Sequence, residues 1–112
     1  MATRSAEVAG NNTTARATVL RMEHHVRDFD EWKAIFDEKG PMLRQHFGAR
    51  GYRVLREVSD PNQVMIDVTF DAPDRAEAFL GRMRELWALR VSEGVISDPQ
   101  AHIALAVEAA GA

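Results

Sequence analysis

Cysteine is absent from the 112-residue chain, which excludes disulfides and thiolate-ligated metal sites. The apolar runs fall far short of the roughly 20 residues that cross a bilayer, so no membrane association is predicted. Basic clusters are also missing, because the 14 Lys and Arg are dispersed among 17 Asp and Glu and the net charge is −3. Binding to a phosphate backbone needs such a cluster, so nucleic acid is not an expected partner. These features favour a cytoplasmic protein.

The chain divides into a short arm and one domain. Residues 1–15 are small and polar, with too little apolar surface to offset the entropy cost of ordering, so we expect a flexible N-terminal arm. This stretch has no apolar segment of the kind found in secretory signals. Residues 16–109 are predicted to form a single domain, in keeping with the usual size of such units.

Two stretches show the apolar repeat of an amphipathic helix. The first begins after Asp28, a residue type that caps helix N-termini well. Gly40-Pro41 interrupts this stretch, because proline lacks the N–H that a helix uses, and we therefore expect a kink or a split. The second helix is predicted over residues 71–91, where the 3/4 spacing is clearest.

Four stretches are typical of β-strands, and the first shows the clearest alternation of apolar and polar residues. A tight turn at residues 60–62 is predicted to join the second and third strands. Residues 92–100 indicate a loop before the last strand, whose apolar face would be Ile103, Leu105 and Val107. The predicted strands are residues 16–26, 51–59, 63–70 and 102–108.

The element order βαββαβ predicts an α+β, ferredoxin-like fold. With connections of these lengths, the common arrangement is a four-stranded antiparallel sheet of order 4-1-3-2 with two helices on one face. In that topology strands one and four are antiparallel neighbours, so the end of strand one and the start of strand four lie at the same end of the sheet. His24, His25 and His102 would then converge there with both tryptophans.

Neighbouring residues on a strand point to opposite faces, and this separates the two adjacent histidines. His24 shares a face with Leu20 and Met22, which we call the covered face because the helices must lie over it. His25 lies on the opposite face, which we call the open face. The two histidines therefore cannot bind one metal ion together, and no metal site is predicted.

The open face mixes charges with apolar side chains. Opposite charges such as Arg21 and Asp67 can pair across strands, whereas Met65 and its apolar neighbours favour contact with another surface. A second copy of the sheet packed on this face would satisfy both, so a homodimer is predicted over a monomer with a solvated sheet. The residues predicted to form this dimer face are Arg21, Glu23, His25, Met65 and Asp67.

Several stretches carry a resemblance to a known superfamily: HHVRDFDEWK (24–33), DPNQV (60–64), Phe70-Asp71, AEAFL (76–80), and Gly94-Val95 with Pro99. Together they resemble the dimeric α+β barrel superfamily, which includes antibiotic-biosynthesis-monooxygenase-like domains and small polyketide cyclases. The resemblance covers about residues 17–109. It implies a ferredoxin-like protomer, a dimer joined by its sheets, and a pocket between sheet and helices. The haem-degrading branch uses a histidine on its second helix, and residues 73–92 contain none, which argues against haem cleavage.

One functional interpretation is a small-molecule enzyme that needs no cofactor. It would oxygenate, cyclise or isomerise a hydrophobic aromatic or polyketide-like substrate, with His24 as the catalytic base because histidine titrates near neutrality. Arg90 at the pocket rim could hold an anionic group of the substrate. The predicted substrate-binding residues are Trp32, Phe36, Phe79, Met83, Trp87 and Arg90.

The same residues leave a non-catalytic interpretation open. The covered face offers His24 no acid–base partner, and a lone buried histidine also occurs as a hydrogen-bonded core residue. Aromatic residues at helical spacing are typical of core packing. The alternative is therefore a dimeric barrel that binds a hydrophobic ligand, or one with a structural or stress-related role.

Overall fold

The computed structural model describes residues 17–111. Within them, four strands and two helices follow one another in the order βαββαβ. The strands are β1 (Thr18–Val26), β2 (Gly51–Glu57), β3 (Asp60–Phe70) and β4 (Ile96–Leu105), and the helices are α1 (Phe29–His46) and α2 (Pro73–Ser92). The arm predicted for residues 1–15 lies outside the described residues.

The four strands form one antiparallel sheet of order β2-β3-β1-β4. This is the predicted 4-1-3-2 order read from the other edge, and it confirms the ferredoxin-like α+β class. β1 occupies the centre and pairs with β3 from Thr18 opposite Phe70 to His25 opposite Gln63. Both helices lie over the covered face, where their tryptophans meet the ring of His24.

The core lies between the covered face and the helices, but the two helices contribute to it unequally. α2 buries four side chains, whereas α1 buries only Trp32. The weaker packing of α1 leaves space between that helix and the sheet. The buried residues of the covered face and of α2 are Thr18, Leu20, Met22, His24, Val26, Val64, Ile66, Val68, Phe70, Ala76, Phe79, Leu80, Trp87 and Ile96.

α1 begins as predicted and continues where a split was expected. The Asp28 carboxylate caps the helix by accepting a hydrogen bond from the Glu31 backbone N–H at 3.0 Å. The helix then runs without a break through Pro41 to His46, so the predicted split is wrong. A proline disfavours helical backbone in the preceding residue partly through that residue's Cβ, and Gly40 has none.

The β2–β3 hairpin is tighter than predicted. Glu57 pairs with Asp60 across a two-residue turn at Val58-Ser59, and the register shifts between Arg56 and Glu57. The predicted turn at residues 60–62 is therefore part of β3. The Arg56 guanidinium donates to the carbonyl oxygen of Pro61 at 2.8 Å, which ties this irregular segment to the neighbouring strand.

β4 begins six residues earlier than predicted, at Ile96 opposite Val26. The loop prediction for residues 92–100 is thus largely wrong, and so is the position given to His102, which lies opposite Arg21 in the middle of the strand. The start of β4 does lie beside the end of β1, as the topology requires. Of the predicted apolar face of this strand, Ile103 packs on the core, while Leu105 and Val107 are exposed.

The residues that favoured a loop in this segment form a β-bulge within β4. Glu23 pairs with Gln100 and His25 pairs with Ser97, so two residues of β4, Asp98 and Pro99, stand opposite His24 alone. Asp98 has φ of 54°, and a proline is tolerated because β4 is an edge strand. A turn-like sequence is thereby accommodated inside a strand.

Neither helix in residues 17–111 combines the length and the apolarity that a membrane span requires.

Candidate functional site

A cavity of about 370 Å³ lies between the covered face and the two helices. Its volume is within the range of sites for drug-sized ligands. The seven residues predicted to act on or bind a substrate all line it: His24, Trp32, Phe36, Phe79, Met83, Trp87 and Arg90. Their assigned roles in binding and catalysis remain predictions.

His24 lines this cavity from β1, two residues before the strand ends at Val26. Its ring lies 5.4 Å from Trp32 and 6.4 Å from Trp87, edge-on to both. The residue is 2% exposed, and its Nδ1 is enclosed without a hydrogen-bond partner among the described residues. Burial lowers the pKa of His24 from 6.5 to about 4, because the charged imidazolium loses its hydration. The imidazole is therefore neutral at pH 7.

The bulge in β4 sits directly beside this histidine. Because Asp98 and Pro99 share His24 as their counterpart, the strand pairing is interrupted at the candidate site. Bulges recur next to active sites, where they redirect a side chain or end a ladder. The bulge was not predicted from the sequence, although the Asp98-Pro99 dipeptide indicates an irregular backbone at this point.

The apolar wall of the cavity is continuous along α1. Trp32 contacts Phe36 at a centroid distance of 5.1 Å, and Phe36 contacts Tyr52 of β2 at 5.7 Å. α2 supplies Phe79 and Met83 on the opposite side. Flat aromatic surfaces on two sides suit a flat apolar ligand.

Four basic side chains and no acidic ones belong to the cavity lining: Lys39, Arg44, Arg82 and Arg90. Of these, only Arg90 was predicted. The charged side chains of this lining are therefore all basic, although the whole chain carries a net charge of −3. The sequence spreads these four residues over two helices, and only the tertiary packing brings them together.

The open face has a different chemistry. Asp67 accepts two hydrogen bonds from Arg21, both at 2.8 Å, and one from Arg53 at 3.0 Å. The Arg21 guanidinium holds the pKa of the Asp67 carboxyl below its usual value, with Arg53 adding to the effect. Gln63 donates to Glu23 at 2.8 Å, and His25 lies 3.7 Å from Asp60. The predicted Arg21–Asp67 pair is confirmed, and the homodimer stays a prediction.

Among residues 17–111, no three or more His, Asp or Glu side chains lie close enough together to hold a metal ion.

Solved structures with the same fold include a cofactor-independent oxygenase and two proteins provisionally described as antibiotic biosynthesis monooxygenases. No protein-family model matches the sequence, and neither does any curated protein.

Three solved structures illustrate the similarity. A point mutant of SnoaB, a cofactor-independent oxygenase from Streptomyces nogalater, superposes with a TM-score of 0.67 at 16% identity, over 85% of this chain and 97% of that one. A protein from Bordetella bronchiseptica gives 0.61 at 17% identity, over 80% and 95% of the two chains. One from Chloroflexus aurantiacus gives 0.59 at 20%, over 85% and 97%. Both are provisionally described as antibiotic biosynthesis monooxygenases. At such identities the similarity is one of fold.

Proposed function

We propose that this protein is a cofactor-independent oxygenase that acts on a hydrophobic, aromatic or polyketide-like substrate. The observation that carries the proposal is a neutral, enclosed imidazole in an apolar cavity walled by two tryptophans. The fold shared with SnoaB, itself a cofactor-independent oxygenase, supports oxygenation over the cyclisation and isomerisation that the same site could begin.

The role of His24 would be to remove a proton from carbon. A neutral imidazole can accept a proton at pH 7 without first losing one, but a low pKa makes it a weak base. The substrate must therefore carry an acidic C–H, such as a methylene placed between aromatic rings and conjugated with a carbonyl group. An aromatic cavity would bind such a molecule and exclude water from the carbanion.

The overall reaction balances without a cofactor. The C–H electron pair stays on the substrate as a delocalised carbanion, which transfers electrons to O2 and forms a C–O bond. The resulting hydroperoxide loses water, so that a methylene and O2 give a carbonyl group and H2O. The same carbanion would close a ring on an internal carbonyl or take up the proton at another carbon, which is why all three reactions share the first step.

Oxygen consumption with anthrone as the probe tests the proposal. We expect wild type to accelerate O2 uptake and to form the quinone, and His24→Ala to abolish turnover while probe affinity changes only a few-fold. His46→Ala is the matched control, because His46 is exposed at the end of α1 and outside the cavity. Absence of turnover in wild type, with loss of binding in His24→Ala, would refute the catalytic role.

A non-catalytic binding protein is the second candidate. It is favoured by one observation: no carboxylate among the described residues pairs with His24, so nothing fixes its tautomer as in a histidine–carboxylate pair. This candidate predicts saturable binding of aromatic ligands by wild type with no chemical change.

We also propose that the protein is a cytoplasmic homodimer joined through the open face. The partly buried Met65 and Leu55 on that face support the dimer, and the lack of cysteine fits a reducing compartment. Sedimentation of wild type and Met65→Glu would test the dimer, since a buried charge in the interface would release monomers. Equal sedimentation of both as monomers would disprove it.

A further inference from the structure

Arg44 differs from the other basic residues of the cavity. Arg82 is paired with Glu85 and Arg90 with Glu93, each at 2.8 Å, and Lys39 lies 4.0 Å from Glu38. Arg44 makes no ion pair or hydrogen bond from its side chain to any residue in 17–111. As far as residues 17–111 show, it is thus the uncompensated positive charge of the cavity lining.

The guanidinium of Arg44 is held in place by aromatic rings. Its central carbon lies 3.8 Å from the centroid of Tyr52 and 4.9 Å from that of Phe36. Such stacking fixes the plane of a guanidinium while its N–H edge stays available for a carboxylate. Gly40 provides the room, because a Cβ there would lie 2.5 Å from Arg44 Nη1.

A row of aromatic rings connects this guanidinium to His24. Phe36 lies next to Arg44, Trp32 next to Phe36, and His24 next to Trp32, with successive spacings of 4.9, 5.1 and 5.4 Å. A positive charge and a neutral imidazole therefore lie at the two ends of this series of ring contacts. The cavity of about 370 Å³ has the volume for a ligand of a few fused rings.

We propose that the ligand of this cavity is an aromatic carboxylate, with its rings along Trp32 and Phe36 and its carboxylate on Arg44. This inference rests on the proposed function in that it places the ligand in the same cavity. It adds the chemical class of the ligand and assigns Arg44 as the residue that selects it. The reactive carbon would lie at the opposite end, beside His24.

Binding of a matched pair of probes tests the ligand class without requiring turnover. Anthracene-2-carboxylate and its neutral carboxamide have nearly the same shape, and fluorescence titration at pH 7.5 gives both affinities. We expect wild type to prefer the acid about tenfold, the worth of one charge-assisted hydrogen bond at a partly solvated site. The preference should shrink as salt is added, because the interaction is between charges.

Two variants with matched controls test the residue. Arg44→Gln should lose the preference while amide affinity stays within about twofold, whereas Arg84→Gln, an equal charge change on an exposed residue outside the cavity, should keep it. Gly40→Ala retains the charge but displaces the guanidinium and adds a Cβ before Pro41, so it should weaken acid binding, and amide affinity reports any disturbance of α1 itself. Gly81→Ala, with open space around its added Cβ, should not.

The outcomes separate this proposal from the proposed function. Equal affinity for acid and amide, a parallel loss of both in Arg44→Gln, or failure of either probe to bind at millimolar concentration would overturn the ligand class. Turnover of neutral anthrone that depends on His24 would still support the oxygenase. Acid preference without any turnover would retain the ligand class and favour the binding protein instead.

Discussion

On the open face of the sheet, the carboxylate of Asp67 accepts three hydrogen bonds from two arginines, while on the covered face Nδ1 of His24 has no hydrogen-bond partner in residues 17–111. Both residues are nearly inaccessible, at 6% and 2% exposure. A buried polar group normally has its partners, since leaving it unpaired costs free energy. The comparison therefore distinguishes a completed structural network from a site that still lacks a partner.

The two groups also respond to acid in different pH ranges, and His24 should produce the larger effect. Its folded pKa of about 4 lies below its unfolded value of 6.5, so the unfolded chain binds the proton more readily. The free energy of unfolding should therefore have its full value above pH 6.5. It should decrease as the pH falls towards 4, by roughly 3 kcal/mol in all. Urea unfolding at pH 7.5 and 4.5 should show this loss in wild type, and His24→Gln should lose correspondingly less. Equal losses in both proteins would show that folding does not lower the pKa of His24.

Asp67→Asn should have the next largest effect, a loss of about 2 kcal/mol at pH 7, because it leaves two arginines without their carboxylate. The pKa of Asp67 is lowered in the folded state, so its stabilisation is present above the unfolded pKa and lost as pH falls below about 4. The variant should therefore differ from wild type at pH 7 and approach it at pH 2.5. A constant difference between the two proteins would contradict the ionic origin.

Binding of a carboxylate in the cavity should change the electrostatic environment of His24, which lacks the opposite charges that Asp67 has on the open face. His24 faces Trp32 and Trp87, and the charged groups that share its cavity are Lys39 and Arg44 on α1 and Arg82 and Arg90 on α2. A bound carboxylate adds negative charge among these basic side chains and raises the pKa of His24. Because this carboxylate would lie on Arg44 and not against His24, we expect an upward shift of only about half a pKa unit, measured by NMR titration of the imidazole with anthracene-2-carboxylate. The carboxamide should give no upward shift.

The sheet order and the separation of His24 from His25 were predictable from the sequence because both depend on regular rules. Alternation assigns each residue of β1 to one face, and short connections leave few topologies for βαββαβ. The aromatic wall was predictable for the same reason, since Trp32 and Phe36 follow the helical repeat.

The bulge in β4 and the unbroken helix α1 were not predicted, because each is an exception to a local rule. Asp98-Pro99 reads as a loop because positive φ and proline usually end a strand, yet an edge strand absorbs both in a bulge. Gly40-Pro41 reads as a helix break, yet the glycine removes one of the clashes that proline imposes. Arg44 gave no signal at all, because its stacking partner Tyr52 is on another element and surface arginines are common.

Gln63→Ala should have the smallest effect and offers a separate view of the open face. The side chain donates one hydrogen bond to Glu23, and both residues are only partly buried. Water can replace this donor if the face is solvated, so a monomer should lose about 0.5 kcal/mol or less. If the open face is an interface, water is excluded, and the loss should exceed 1 kcal/mol and depend on protein concentration.

Urea unfolding at two protein concentrations distinguishes these results, with Lys33→Ala as the control because its partner Asp37 is on the exposed side of α1. A small loss that does not depend on concentration would leave the open face to solvent and count against the proposed dimer.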